Sequence, residues 1–135
     1  MNAYFVRCSI LALAAASALP AQTIGPLKVS VPFSFNVQGR DMPAGEYVAE
    51  RVNNTPHVTL KCRERSVNVF VPTMALESPF PQQTGKLVFH RYGDQYFLSE
   101  VWSAGRYGRQ LLRTKQERDL ARQAQPERTS VAAKR

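Results

Sequence analysis

The sequence predicts an all-β fold, either an antiparallel β-sandwich or a small β-barrel. Apolar and polar residues alternate with the period of a strand, and turn residues recur about every 8–12 positions. No helical period is found before residue 114. About seven short strands therefore lie between residues 27 and 112, which we predict to be one domain.

The first strand begins after Leu27. Apolar side chains alternate with other residues from Val29 to Val37, as expected for a strand with one buried face. Pro32 has no backbone N–H to donate. This segment is therefore predicted to lie at a sheet edge or to contain a bulge near Pro32.

Turn residues separate the strands that follow. Residues 38–45 and 53–56 are rich in glycine, proline, asparagine and aspartate, and residues 74–84, with Pro79 and Pro81, are predicted to cross the surface without forming a strand. The predicted strands are Glu46–Val52, His57–Cys62, Val67–Thr73 and a short Gln110–Leu112.

Residues 86–102 predict a hairpin whose turn is Gly93-Asp94. In that register, residues 91 and 96, 89 and 98, and 87 and 100 lie opposite one another. Periodicity does not decide which face is the core. One face carries Leu87, Phe89, Arg91, Tyr96, Leu98, Glu100 and Trp102, and the other carries Val88, His90, Tyr92, Gln95, Phe97, Ser99 and Val101.

The hairpin also holds the candidate binding residues. Aromatic planes beside a cation can hold a sugar ring or an anionic ligand, and Arg91, Tyr96 and Trp102 share a face in the predicted register. The alternative is that these side chains cover the hairpin or fill the core. The candidates are His90, Arg91, Tyr92, Tyr96 and Trp102.

Residues 113–135 form a distinct basic segment, with seven lysine or arginine residues against three acidic ones. Thr114 and Glu117 match a capping box, which predicts a short helix as far as Ala124. Residues 127–135 are predicted to be disordered. The segment either attracts anionic cell-envelope material or is a solvated tail. Nucleic acid is not expected, because no aromatic residues are interleaved for base stacking.

The first 21 residues predict a secretory signal peptide. Arg7 precedes an apolar run from Cys8 to Leu19, and small residues allow cleavage after Ala18 or Ala21. The run is shorter than the roughly 20 residues that span a bilayer, and no later segment is apolar enough. Export to the periplasm or outside the cell is expected, with residues 22–112 as the β domain.

Cys62 is the one cysteine that follows the predicted signal peptide, so no internal disulfide can form. In an oxidising compartment such a thiol is either buried or paired with a second chain, which would give a dimer. Cys62 lies in a predicted strand, which favours burial.

No catalytic, metal or cofactor motif is found. His57 and His90 are the two imidazoles, and neither adjoins a nucleophile motif; two distant histidines do not predict a zinc site. Within one strand, His57 and Cys62 point to opposite faces. We therefore predict a non-enzymatic binding or interaction module at the cell envelope. The alternative is a carrier whose barrel encloses an apolar or carbohydrate ligand, and a hydrolase is the least favoured class.

Two blocks of the sequence carry a resemblance to a family. These are Val31–Val37 together with Met42–Tyr47, and Lys86–Leu98. They resemble small exported β-proteins of unassigned function from Gram-negative soil bacteria. The likeness spans most of residues 27–112 and implies the fold and the compartment, but no activity, ligand or site residue.

Overall fold

The computed structural model describes residues 26–52 and 54–134. The predicted signal peptide, residues 1–21, lies outside the described residues. The described elements are β1 (Leu27–Val31), β2 (Phe35–Val37), β3 (Arg40–Met42), β4 (Gly45–Arg51), β5 (His57–Cys62), β6 (Asn68–Gln82), β7 (Lys86–Tyr92), β8 (Gln95–Trp102), β9 (Gly105–Leu111), α1 (Lys115–Gln123) and β10 (Glu127–Ala132).

The predicted all-β class is confirmed, and the fold is sandwich-like. One half of the sheet has the order β1-β4-β5-β6, and the other continues through β9, β8, β7 and β10. The long β6 joins them, because its first part pairs with β5 and its second part with β9. Nearly all pairings are antiparallel. The short β2 instead meets β8 in parallel, with Asn36 beside Phe97, and carries β3 on its other edge.

The core lies between the two halves and receives side chains from both. Tyr47 and Phe89 are the largest of the fully buried side chains, and Phe35 packs edge-on against each of them. Burying apolar surface on this scale is the main stabilising contribution to the fold. The core residues are Val29, Val31, Phe35, Val37, Met42, Tyr47, Ala49, Val58, Leu60, Cys62, Val69, Val71, Leu87, Phe89, Leu98, Val101 and Leu111.

The first predicted strand is in fact two strands in different parts of the sheet. The chain leaves β1 at Val31 and re-enters the sheet at Phe35, so that the break falls at Pro32. This agrees with the inability of proline to donate to a ladder. The predicted turn after Val37 contains the short strand β3.

The prediction that residues 74–84 cross the surface without a strand is wrong. The strand β6 continues to Gln82, with a register shift between Glu77 and Gln82 where it pairs with β9. The partner β9 is likewise longer than the predicted Gln110–Leu112. Proline is tolerated in this stretch because the ladder is already irregular there.

The C-terminal segment folds against the β domain. The predicted helix is confirmed as α1, and the Thr114 side chain accepts a hydrogen bond from the Glu117 N–H at 3.3 Å. The prediction of disorder over residues 127–135 is wrong for the described residues 127–134, because β10 pairs with β7 along its whole length, and residue 135 lies outside the described residues. The Lys134 N–H donates to the Lys28 carbonyl in β1. The residues that follow β10 therefore connect β10 to β1.

Cys62 is buried in the core and faces away from His57, as predicted. Its thiol is therefore withheld from a second chain in the folded protein. Among the described residues, no helix is both long and apolar enough to cross a membrane.

Candidate functional site

A β-bulge at Ser99 determines which side chains share a face of the β7–β8 hairpin. Phe89 lies opposite Leu98, whereas Val88 lies opposite Glu100, which leaves Ser99 as an extra residue in β8. Because side chains alternate along a strand, one extra residue moves every following side chain to the other face.

The bulge makes one of the three predicted cross-strand pairs wrong. Residue 91 does lie opposite 96 and residue 89 opposite 98, but Leu87 lies opposite Val101 instead of Glu100. Val101 therefore enters the core. Glu100 and Trp102 lie on the outer face, which we define as the face turned away from the core.

The five predicted site residues do not form one site. His90, Tyr92 and Trp102 lie on the outer face, and Arg91 and Tyr96 lie on the inner face near the hairpin turn. The prediction that Arg91, Tyr96 and Trp102 share a face is therefore wrong.

Tyr96 has aromatic and cationic neighbours on the inner face. It stacks on Phe33 with ring centroids 3.8 Å apart, and the Arg91 guanidinium carbon lies 5.5 Å from its ring centroid. These contacts hold the Tyr96 ring in place beside the hairpin turn.

The outer-face histidine lies beneath α1. His90 Nε2 is 3.3 Å from the Ser99 hydroxyl, and His90 Nδ1 is 3.9 Å from a Glu117 carboxylate oxygen. Glu117 is only 3% exposed, and Arg113 lies 3.2 Å from its other oxygen. The sequence predicted Glu117 as the second half of a capping box. Its carboxylate instead points into the sheet.

Two buried polar atoms of this group have no partner, His90 Nδ1 and the Tyr92 hydroxyl, whereas Glu117 Oε2 is ion-paired with Arg113 Nε at 3.2 Å. Burial lowers the pKa of His90 and raises the pKa of Glu117. Burial also raises the pKa of Tyr92, and the nearby Glu117 charge adds to this effect. Desolvation thus favours the neutral form of all three groups.

A second buried carboxylate lies on the same face and has partners. Glu100 Oε2 accepts from the Trp102 indole N–H at 2.8 Å and from the Arg128 guanidinium at 2.7 Å. Arg128 belongs to β10 and lies directly opposite His90. The charge of Glu100 is therefore compensated by the last strand of the sheet.

The order Ser99, His90, Glu117 is that of a nucleophile, a base and an orienting acid. Ser99, however, is only 5% exposed and lies within the sheet. A substrate carbonyl has no approach to its hydroxyl in this arrangement. The geometry therefore favours a structural role for the Ser99 hydroxyl. It contacts Nε2 of His90 and so distinguishes this ring nitrogen from Nδ1.

A polar cleft of about 330 Å³ opens near the hairpin turn. Three features position its walls: the β2–β3 hairpin, the Gly93-Asp94 turn and the parallel contact between β2 and β8. Gly93 has φ 61°, a conformation that suits glycine in a tight turn. The cleft is lined by Ser34, Phe35, Asn36, Asp41, Asp94, Gln95, Tyr96, Phe97 and Gln116.

The cleft is acidic although the chain has a formal net charge of +8. Asp41 and Asp94 are the charged residues of its lining. Asn36 is held in place, since its side chain donates to Asp41 at 3.1 Å and accepts from the Gly39 N–H at 3.0 Å. Carboxylate and amide groups on fixed backbone suit a ligand that carries hydroxyl or amino groups.

Within the described part of the chain, no three His, Cys, Asp or Glu residues gather as a potential metal site. Comparison of the chain with family models, with curated proteins and with solved structures gives no match.

Proposed function

We propose that this protein is an exported, non-enzymatic β-domain that binds a saccharide unit of the cell envelope in the cleft beside Asp41 and Asp94. The observation that carries the proposal is the composition of the cleft, in which two carboxylates and three side-chain amides surround a volume within the usual range for small ligands. Such groups pair with the hydroxyls of a sugar.

Export is supported by the sequence alone. The charged, apolar and small-residue regions within residues 1–21 have the order of a secretory signal. An exported domain meets abundant saccharide polymers in the cell envelope. The proposed compartment and the proposed ligand are therefore compatible.

The basic C-terminal segment supports a second, weaker interaction. Lys115, Arg118 and Arg122 follow helical spacing on one exposed side of α1, opposite the buried Glu117. Such a stripe can attract anionic envelope polymers at low salt. Within the stripe, Arg122 lies 3.9 Å from Asp119, and outside it Arg128 is paired with Glu100 and Lys134 with Glu46.

A carrier with an internal ligand cavity is less favoured. Side chains from both halves of the sheet fill the space between them. The cleft near Asp94 instead opens at the surface. A ligand is therefore expected to bind at the rim of the hairpin turn and not inside the fold.

Isothermal titration with short oligosaccharides tests the saccharide proposal. The probes are neutral β-linked glucose oligomers and the corresponding amino-sugar oligomers. Asp94→Asn keeps the turn and the shape of the cleft but removes one charged acceptor, so we expect about tenfold weaker binding. Asp119→Asn, on the exposed surface of α1, is the matched control and should bind as the wild type does.

The two proposed interactions can be separated by variants. Replacing Lys115, Arg118 and Arg122 with glutamine should abolish salt-sensitive retention on an anionic polymer and leave oligosaccharide binding intact. Failure of both oligosaccharide series to bind the wild-type protein would refute the saccharide proposal. Equal retention of the triple variant and the wild type at low salt would refute the role of the basic stripe.

A further inference from the structure

We propose that His90, Tyr92 and Glu117 form a binding site for one transition-metal ion, ferric iron or zinc, between α1 and the outer face of β7. This site shares no residue with the lining of the polar cleft and does not depend on the proposed function. It uses His90 Nδ1, the Glu117 carboxylate oxygen that faces it and the Tyr92 phenol oxygen.

Unsatisfied hydrogen-bonding capacity is the first argument. Tyr92 is 8% exposed, yet its buried hydroxyl has no hydrogen-bond partner. His90 Nδ1 is buried and unpartnered as well. Leaving even one such group without a partner is costly, so two on neighbouring side chains, beside the 3% exposed Glu117, point to a shared ligand.

The orientation of the imidazole is the second argument. The Ser99 hydroxyl lies 3.3 Å from His90 Nε2 and can accept a hydrogen bond from the Nε2–H. Nδ1 then carries the lone pair and faces Glu117, whose nearer oxygen is 3.9 Å away. A histidine ligand is typically held in this way, by a hydrogen bond from its second ring nitrogen to a neighbouring group.

The placement of the donors is the third argument. His90 and Tyr92 are two residues apart in β7 and therefore project from the same face. Glu117 reaches them from the first turn of α1. The separation of 3.9 Å between imidazole nitrogen and carboxylate leaves room for an ion that is bound at about 2.0–2.2 Å from each donor.

The charged side chains around the site determine when a metal ion can bind. Arg113 lies 3.2 Å from Glu117, but its side chain is about half exposed and can turn to solvent when a cation arrives. Arg128, on the neighbouring strand, is neutralised by Glu100. Binding requires a deprotonated carboxylate and displaces the phenol proton to solvent when iron is bound, so affinity should rise with pH.

The choice of metal follows from the donors. Imidazole and carboxylate suit zinc and iron, and an oxygen donor such as phenolate favours the harder ferric ion. Calcium and magnesium are less suited, because both prefer sites made of oxygen ligands.

Absorption spectroscopy of the full chain during titration with ferric nitrilotriacetate is the direct test. We expect a visible phenolate-to-iron charge-transfer band that saturates at one iron per chain. Tyr92→Phe keeps the packing but removes the phenol oxygen, and should abolish the band. Tyr96→Phe is the matched control, since Tyr96 lies on the inner face of the same hairpin and should leave the band unchanged.

Equilibrium dialysis with zinc provides a readout that does not need the phenolate band. One zinc ion per chain is expected, with at least about tenfold weaker binding in Glu117→Gln and in His90→Gln. Circular dichroism at each titration temperature identifies any variant that has unfolded. In that case the Tyr92→Phe and Tyr96→Phe pair, which conserve side-chain volume, decides the outcome.

The proposal is overturned if the folded wild-type protein binds neither ion. It is also overturned if an iron band persists in Tyr92→Phe, or if stoichiometric zinc binding is the same in Glu117→Gln as in the wild type. If a buried water bridges the three groups in place of a metal ion, the folded wild-type protein will bind neither iron nor zinc.

Discussion

The Arg128 guanidinium donates to Glu100 Oε2 at 2.7 Å and thereby connects the last strand to the middle of the sheet. Glu100 is buried and also accepts from Trp102. The strand β10 has few apolar residues, yet it pairs with β7 along its whole length. The contact helps to explain this, because Arg128 of β10 compensates the buried charge of Glu100.

Arg128→Gln should therefore destabilise the protein. The variant leaves the Glu100 carboxylate with one fewer charged partner, and we expect a loss of about 1–2 kcal/mol in the free energy of unfolding, because Arg128 itself is partly exposed. Urea denaturation gives this value. Arg118→Gln, on the exposed side of α1, is the control, and an equal effect of both substitutions would contradict the assignment.

Gly108→Ala should be strongly destabilising through a steric clash. A Cβ atom at this position would lie 2.5 Å from Trp102 Cε3, so the indole or the strand β9 has to move. We expect a cost of about 1–3 kcal/mol. In a Trp102→Leu background the same substitution should cost much less, and a double-mutant cycle from thermal unfolding measures the coupling. Additive effects would show that the indole does not cover Gly108.

Cys62 should react slowly in the native protein. Its thiol lies in the core, in register with Tyr47 of β4. We expect a thiol reagent to modify Cys62 promptly in urea, and to modify it without urea only when the protein unfolds transiently. Reductant should leave the mass of the native protein unchanged. Cys62→Ser should cost about 1–3 kcal/mol, because a hydroxyl replaces a thiol in an apolar site. A reductant-sensitive dimer under native conditions would contradict this account.

Glu46 should contribute stability that depends on pH. A hydrogen bond from Lys134, the nearby Lys134 charge and Arg63 hold the pKa of Glu46 below its ordinary value of 4.5. A carboxylate with a lowered pKa in the folded state stabilises that state above the unfolded pKa, and this contribution is lost as the pH falls through the folded pKa.

Glu46→Gln should consequently reduce the urea midpoint near neutral pH and have little effect well below pH 4.5. Glu50→Gln, an exposed change on the same strand, controls for the loss of one negative charge. A constant difference between Glu46→Gln and the wild type across this pH range would show that the contact with Lys134 does not form.

The alternation of apolar and polar residues and the capping residues were sufficient to predict most of the β domain and the helix. The strand β5 has the predicted bounds, and Thr114 caps α1 as expected. Alternation and capping depend on neighbours in sequence, so both are visible without a structure. The all-β class follows from the same local signals.

The errors arise where distant parts of the chain decide the structure. The bulge at Ser99 has no marker in an ordinary strand sequence, yet it moves Glu100 and Trp102 to the outer face. The strand β10 is mostly polar, and its order depends on pairing with β7. Glu117 was visible as a capping residue, but its approach to His90 depends on how α1 packs on the sheet.

The polar cleft was also invisible in the sequence. Asp41 and Asp94 are far apart along the chain and lie in segments predicted as turns. The parallel contact between β2 and β8 places both at one cleft. Of the predicted site residues, Tyr96 is the one in its lining.

The most direct measurement is a two-dimensional amide NMR spectrum of the labelled protein during titration with the oligosaccharide that binds best in calorimetry. We predict that shifts concentrate on Asp41, Asp94, Gln95 and Tyr96, and that they weaken in Asp94→Asn. Shifts that concentrate on Arg118 and Arg122, on the side of α1 away from the cleft residue Gln116, or a spectrum that no oligosaccharide changes, would contradict the assignment of the cleft as the binding site.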